Sequence, residues 1–191
     1  MAAMPLACTL HGMDIGAALP GERVMILGGG VIGLLAVQLA RLAGADVMLV
    51  TRQQSKRDLA MTLGATITAS DVHQAKTIWP LGADLVVECA GVAETIALAP
   101  RLTHTGGRVV ILGVLPQGDT VAFEPFDLLF REIQLHHAFL NPFTQSRATA
   151  MIASGAIKVD PLISRIIPLN QAAEAVANPP REGEVKVLIT P

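Results

Sequence analysis

The chain has 191 residues, 51% of them hydrophobic and 3% aromatic, with a formal net charge of −2. That length suits one well-buried core with a small appendage, and an apolar mass of Ala, Val, Leu and Ile suits parallel strands covered on both faces by helices. Scattered charge with no basic stripe excludes a nucleic-acid partner, and the longest nearly uncharged run, Val24 to Ala40, is broken by glycines and opens as a strand, which excludes a membrane span.

In chain order, Pro5 to Ala18 reads as a helix that leads in from outside the main sheet. Arg23 to Leu27 is the first strand, and Gly28, Gly30 and Gly33 follow it in GxGxxG spacing. They open a helix over Val31 to Ala43, apolar nearly all round, with Gly44 where a left-handed cap falls. Asp46 to Thr51 is the second strand; Lys56 to Leu63 is a more polar helix that ends at Gly64. Further short strands are expected at Thr66 to Thr68, Asp84 to Glu88, Gly107 to Leu112 and Glu132 to His137. Six strands alternating with helices predict an α/β fold: a doubly wound, parallel, six-stranded sheet in three layers, α/β/α, whose ligand crevice lies at the carboxyl ends of the strands. Past Ala153 the texture changes, with prolines at 161, 168, 179, 180 and 191 and a short helix signal at Gln171 to Val176. This segment is expected to leave the sheet layer.

The stretch from Arg23 to Thr51 is a βαβ unit with its glycines at the strand-to-helix junction, the context that makes the spacing a dinucleotide site of the Rossmann type. Gly28 permits the sharp turn, Gly30 leaves room for a pyrophosphate against bare backbone, and Gly33 lets helix and strand lie close. The helix's first N–H groups then face the phosphates. Gly28, Gly29, Gly30, Val31, Ile32 and Gly33 are therefore candidate cofactor contacts. An NAD site carries a carboxylate at the end of the second strand, where this chain has Thr51 and then Arg52. A hydroxyl beside a guanidinium suits a 2′-phosphate, with Lys56 and Arg57 close behind, so NADP(H) is favoured over NAD(H). Methyltransferases that use S-adenosylmethionine share glycine-rich first turns, but generally carry an acid where Thr51 stands.

Other tempting residues have plainer readings. His136 and His137 are neighbours on a strand, point to opposite faces and cannot share a metal ion, so one is packed and the other wet. Cys8 and Cys89 are read as small buried hydrophobes; two distant cysteines build neither a disulfide framework nor a four-cysteine zinc lobe. With no signal segment visible in the first residues, a cytoplasmic, reducing compartment is expected. Asp84, Glu88 and Glu94 are expected near the crevice, capping helices or meeting ribose hydroxyls, and are assigned no catalysis. Trp79, before Pro80, is read as filling a loop-to-core contact.

The blocks PLACTLHGMD, PGERVMILGGGVIGLLAVQLARLAGA, GADLVVECAG, GGRVVILGV and LISRIIPLNQAAEAV, in that order, resemble the medium-chain zinc-dependent alcohol and polyol dehydrogenases, the sorbitol and threonine dehydrogenase type above all. The resemblance covers essentially the whole chain. It implies hydride transfer between a nicotinamide cofactor and an alcohol or its carbonyl product, with a zinc ion as Lewis acid held by an N-terminal catalytic domain. That domain's zinc motifs are absent here, and Met4 stands where polyol-type members usually carry a glutamate ligand. The expectation is a cofactor domain of a longer enzyme, inactive alone: residues 1–20 a lead-in helix from the catalytic domain, 21–154 the dinucleotide-binding domain, and 155–191 a segment returning toward the catalytic domain. The resemblance further implies Ala90 and Gly91, and Leu112, Gly113 and Val114, as walls of the adenosine and nicotinamide pockets. It implies Ala138 and Phe139 near the carboxamide, Lys186 at the pyrophosphate, and a homodimer joined through sixth-strand edges. A zinc-free, quinone-reductase-like enzyme and a non-catalytic nucleotide-sensing module are the alternatives.

Overall fold

The computed structural model describes residues 3–178 and 181–191. Pro179 and Pro180, part of the proline-rich segment noted above, lie outside the described residues. Six strands form one sheet: β1 (Arg23–Leu27), β2 (Asp46–Val50), β3 (Ile67–Ala69), β4 (Ala83–Glu88), β5 (Thr103–Ile111) and β6 (Gln134–His137). Their spatial order is β3-β2-β1-β4-β5-β6 and every pairing is parallel. The chain therefore doubles back between β1 and β4, which is where such sheets open a crevice at their carboxyl edge.

The helices are α1 (Ala3–Gly16), α2 (Val31–Leu42), α3 (Gln54–Thr62), α4 (Val72–Ile78), α5 (Ala93–Leu102), α6 (Pro125–Phe130), α7 (Gln145–Ala153) and α8 (Ala172–Ala177). Strand residues alternate between two cores. Ile26, Leu49, Val87 and Val110 pack with Leu6 and Leu10 of α1 and Leu34 and Leu35 of α2, while Met25, Met48, Val86 and Val109 pack with Trp79, Ile96 and Leu102. Both faces of the sheet are dry, which explains why its strands read as unbroken apolar runs. Trp79 is buried in the second core, as the loop-to-core reading expects.

Several boundaries differ from the sequence reading for local reasons. Strand β6 starts at Gln134 rather than Glu132 because Glu132 sits at φ 52, a left-handed turn residue. Strand β5 starts as early as Thr103, where an irregular register lets Thr103 pair with Ala83. Helix α1 stops at Gly16, before Ala17 at φ 44. It lies tight on the sheet: a Cβ on Gly12 would come within 2.6 Å of Leu112, and one on Gly16 within 3.0 Å of Leu85. Arg108 of β5 closes that end, donating to the carbonyls of Gly16 and Ala17 and to both carboxylate oxygens of Glu22.

The C-terminal segment does leave the sheet layer. It carries two strands absent from the sequence reading, β7 (Ile163–Pro168) and β8 (Lys186–Thr190), which pair in parallel as a separate small sheet. The helix expected at Gln171 to Val176 is α8.

Candidate functional site

At the carboxyl edge, Gly28 turns the chain out of β1 with φ 106, and its N–H donates to the Val50 carbonyl at 3.0 Å. The turn is wedged between its neighbours. A Cβ on Gly28 would lie 2.9 Å from the Ala90 nitrogen, and one on Gly29 would lie 2.9 Å from Thr51 Oγ1. Gly30 is different. It caps α2, nothing lies within 4 Å of where its Cβ would be, and no side chain caps the helix. The first-turn N–H groups of α2, contributed by Val31, Ile32 and Gly33, are thus left for a ligand beside an open cradle, the arrangement that receives a phosphate. A pyrophosphate fits here: the cradle is the space a Cβ on Gly30 would occupy.

The end of β2 supplies the cationic flank. Thr51 donates its N–H to Ala69 and sets its side chain against Gly29. Arg52 is exposed, and its guanidinium has no partner among the described residues; Lys56 is half-buried and likewise unpaired among them. Arg57, which the sequence places close behind them, is engaged differently. Its guanidinium donates to the carbonyls of Thr51 and Arg52, each at 2.7 Å, and to Gln54 Oε1. It braces the β2–α3 turn instead of facing solvent.

Across the crevice, the turn after β4 is built on Glu88, which is 0% exposed. Its Oε1 accepts the N–H groups of Ala90 at 2.8 Å and Gly91 at 3.0 Å, and the Thr95 hydroxyl at 2.7 Å. Gly91, at φ 67, packs against the backbone of Val114, and a Cβ on Gly113 would run into Gly91 and the Glu88 carboxylate. Gly113 is thus a packing glycine, while Ala90 and Val114 are exposed at the crevice. Leu112 lies against α1. Ala138 joins the core cluster on the α1 side, whereas Phe139 is 73% exposed. Lys186 and Val31 line one cavity of about 370 Å³, apolar apart from Lys186 and Thr149, between α1, α7 and the β7–β8 sheet.

Of the three acids expected near the crevice, Asp84 lies elsewhere. It sits at the amino end of β4, where its carboxylate accepts the Arg23 N–H at 2.8 Å. Glu94 is exposed in the first turn of α5. Only Glu88 reaches the site, where it holds backbone. Its signal in the sequence was faint: one acid at the end of the run Leu85 to Val87, where an apolar residue would otherwise fit. Burial pushes the thiols of Cys8 and Cys89 up, the neighbouring Glu88 adding to the rise at Cys89, so neither is poised as a thiolate nucleophile. His136 is half-buried and His137 exposed, as their alternation requires. Among the described residues no group of three or more His, Cys, Asp or Glu could hold a metal ion.

Residues 31–154 match the zinc-binding dehydrogenases. The chain belongs to that family. Sorbitol dehydrogenase of Gallus gallus is 30% identical over 194 residues, which are 97% of this chain and 54% of the relative. D-arabinitol dehydrogenase 1 of Uromyces fabae is 27% identical over 98% of this chain and 56% of its own length. Among solved structures, a zinc-binding dehydrogenase from Sinorhizobium meliloti 1021 bound to NADP superposes with a TM-score of 0.95 at 52% identity, over 99% of this chain and 58% of that one. Alcohol dehydrogenase TADH from Thermus sp. ATN1 follows the same fold at a TM-score of 0.87 and 26% identity. The chain thus spans a little over half the length of these family members and shares their Rossmann-type α/β fold. No described helix is long and apolar enough to cross a membrane.

Proposed function

We propose that this chain is the NADP(H)-binding domain of an oxidoreductase that moves hydride between the nicotinamide and an alcohol or polyol, or the matching carbonyl compound. The Arg52 guanidinium, unpaired among the described residues, carries the reading: it follows Thr51, which stands where an NAD site needs a carboxylate. When bound, the cofactor supplies the hydride donor or acceptor. The chain's own residues bind and orient: the α2 N-terminus takes the pyrophosphate, Thr51, Arg52 and Lys56 the 2′-phosphate, Ala90, Gly91, Leu112, Gly113 and Val114 the walls, Ala138 and Phe139 the carboxamide end, and Lys186 reaches the pyrophosphate from the far side. The NADP-bound relative at 52% identity supports this reading.

The reaction's substrate pocket and zinc belong, in this proposal, to residues outside 21–154, with 1–20 and 155–191 linking the cofactor domain to them. The isolated chain is expected to bind cofactor and not to turn over. Two thiols with no disulfide between them agree with a reducing, cytoplasmic compartment.

A homodimer through β6 is part of the proposal. Strand β6 is the sheet's outer edge, and the crossover leading into it exposes Phe126, Leu129 and Phe130 at 71%, 77% and 77%, the two Phe rings stacked 5.9 Å apart. An open edge beside an apolar patch is what a second copy covers. Calorimetric titration with NADPH and NADH at equal low salt tests the cofactor, tighter NADPH being expected. Sedimentation equilibrium of wild type against Phe130→Glu tests the dimer, which the added charge should dissociate.

A further inference from the structure

The turn that faces the glycine loop is held by the buried carboxyl group of Glu88. Glu88 is fully buried, and no Lys or Arg pairs with it among the described residues. A buried, unpaired carboxyl group is costly unless hydrogen bonds replace its water. Here Ala90 N–H, Gly91 N–H and the Thr95 hydroxyl supply them on Oε1, with Gly91 N–H also 3.3 Å from Oε2. Three donors converging on one buried oxygen specify the turn tightly.

That turn touches everything around it. Gly28 meets the backbone of Ala90, Gly91 meets Val114, and Gly113 is pressed between Gly91 and the carboxylate. The Glu88 carbonyl in turn accepts the N–H groups of Leu112 at 2.9 Å and Gly113 at 3.1 Å. One residue therefore sets the relative positions of the loops after β1, β4 and β5. It also turns the Ala90 and Gly91 N–H groups inward, away from the crevice.

We propose that Glu88 is a positioning residue for the dinucleotide: its buried carboxylate fixes the Ala90–Gly91 turn and the Gly113 loop against the glycine loop, shaping the cofactor cleft on the β4–β5 side. This rests on the cofactor site proposed above. In the sheet order β2 lies on one side of β1 and β4 on the other. A ligand half held mainly by Thr51, Arg52 and the glycine loop therefore leans less on Glu88 than the whole dinucleotide, which crosses toward β4 and β5.

The test is calorimetric titration of wild type, Glu88→Ala, the milder Glu88→Asp and the conservative Glu88→Gln with NADPH and with 2′,5′-ADP, alongside thermal melts. Glu88→Ala and Glu88→Asp should weaken NADPH by about tenfold or more, the consequence of leaving buried donors unpaired, and 2′,5′-ADP by less than about threefold. Glu88→Gln keeps an oxygen for the same donors and should restore NADPH to within about threefold of wild type. If Glu88→Ala is too unstable to titrate, Glu88→Asp decides. Equal losses for both ligands, or no loss for either, would overturn the positioning role. Wild type that binds neither ligand would overturn instead the cofactor site on which it rests.

Discussion

Gly33, in the first turn of α2, faces the carbonyl oxygen of Gly28 so closely that a methyl group on Gly33 would overlap it. Both groups are backbone, one in a helix and the other in the turn that leaves β1, so neither can move aside. Gly33→Ala should therefore destabilise the domain by roughly 2–4 kcal/mol, the range of a severe steric insertion. Cofactor binding should be lost with it, because pushing α2 away displaces the N–H groups at its start. Urea unfolding followed by fluorescence of the lone Trp79 measures the first effect. A variant as stable as wild type would mean that helix and strand are not in this contact.

Arg52→Ala removes a guanidinium that holds no structural contact among the described residues, so stability should stay within about 0.5 kcal/mol of wild type. NADPH should weaken by about tenfold, as loss of one exposed charge-assisted contact predicts, and NADH by less than about twofold. Equal losses for both cofactors, measured by calorimetry, would remove Arg52 from the 2′-phosphate.

Arg57→Ala separates bracing from binding. Three acceptors, the carbonyls of Thr51 and Arg52 and the Gln54 amide oxygen, lose their donor at once. A cost of about 1–2 kcal/mol in thermal unfolding is expected. NADPH affinity should fall less than in Arg52→Ala, because the phosphate ligand remains and only its support is loosened. A larger fall than in Arg52→Ala would show that Arg57 swings out to the phosphate itself.

The legible and illegible parts of this chain divide on a physical line. The six strands could be read because both faces of the sheet are buried, so their residues had to be apolar without interruption. The glycine loop could be read because each glycine answers a backbone requirement, at Gly28 a positive φ and at Gly33 a close approach. Arg57 could not be separated from Arg52 and Lys56, since all three look alike in a sequence and only the course of the β2–α3 turn decides which guanidinium meets carbonyls. Glu88 gave too little signal because its partners are mostly backbone N–H groups, which nearly every residue carries. The pair β7–β8 escaped notice because its strands are separated by α8 and a proline-rich stretch, and their edge residues are only half-buried.

Glu22 ties pH to stability through the end of α1. Its carboxylate accepts from Arg108 Nη2 at 2.6 Å and Nη1 at 3.0 Å, and from the Leu19 N–H at 2.8 Å. The Arg108 hydrogen bonds hold its pKa below the ordinary glutamate value of 4.5, with the Leu19 N–H helping, against a partial burial that raises it. Because the folded value is the depressed one, acid protonates Glu22 first in the unfolded chain. Its contribution is therefore fully present above the unfolded pKa of about 4.3 and drains away as pH falls below that toward the folded value. Glu22→Gln should be less stable than wild type by about 1 kcal/mol near neutral pH, the size of a partly buried, bidentate pair. The gap should stay constant down to about pH 5 and close on further acidification, as Glu22 takes up its proton. Paired urea titrations of the two proteins between neutral and acid pH measure it. A gap that is unchanged by acid would assign the loss to packing around Glu22 and remove the ion pair as its cause.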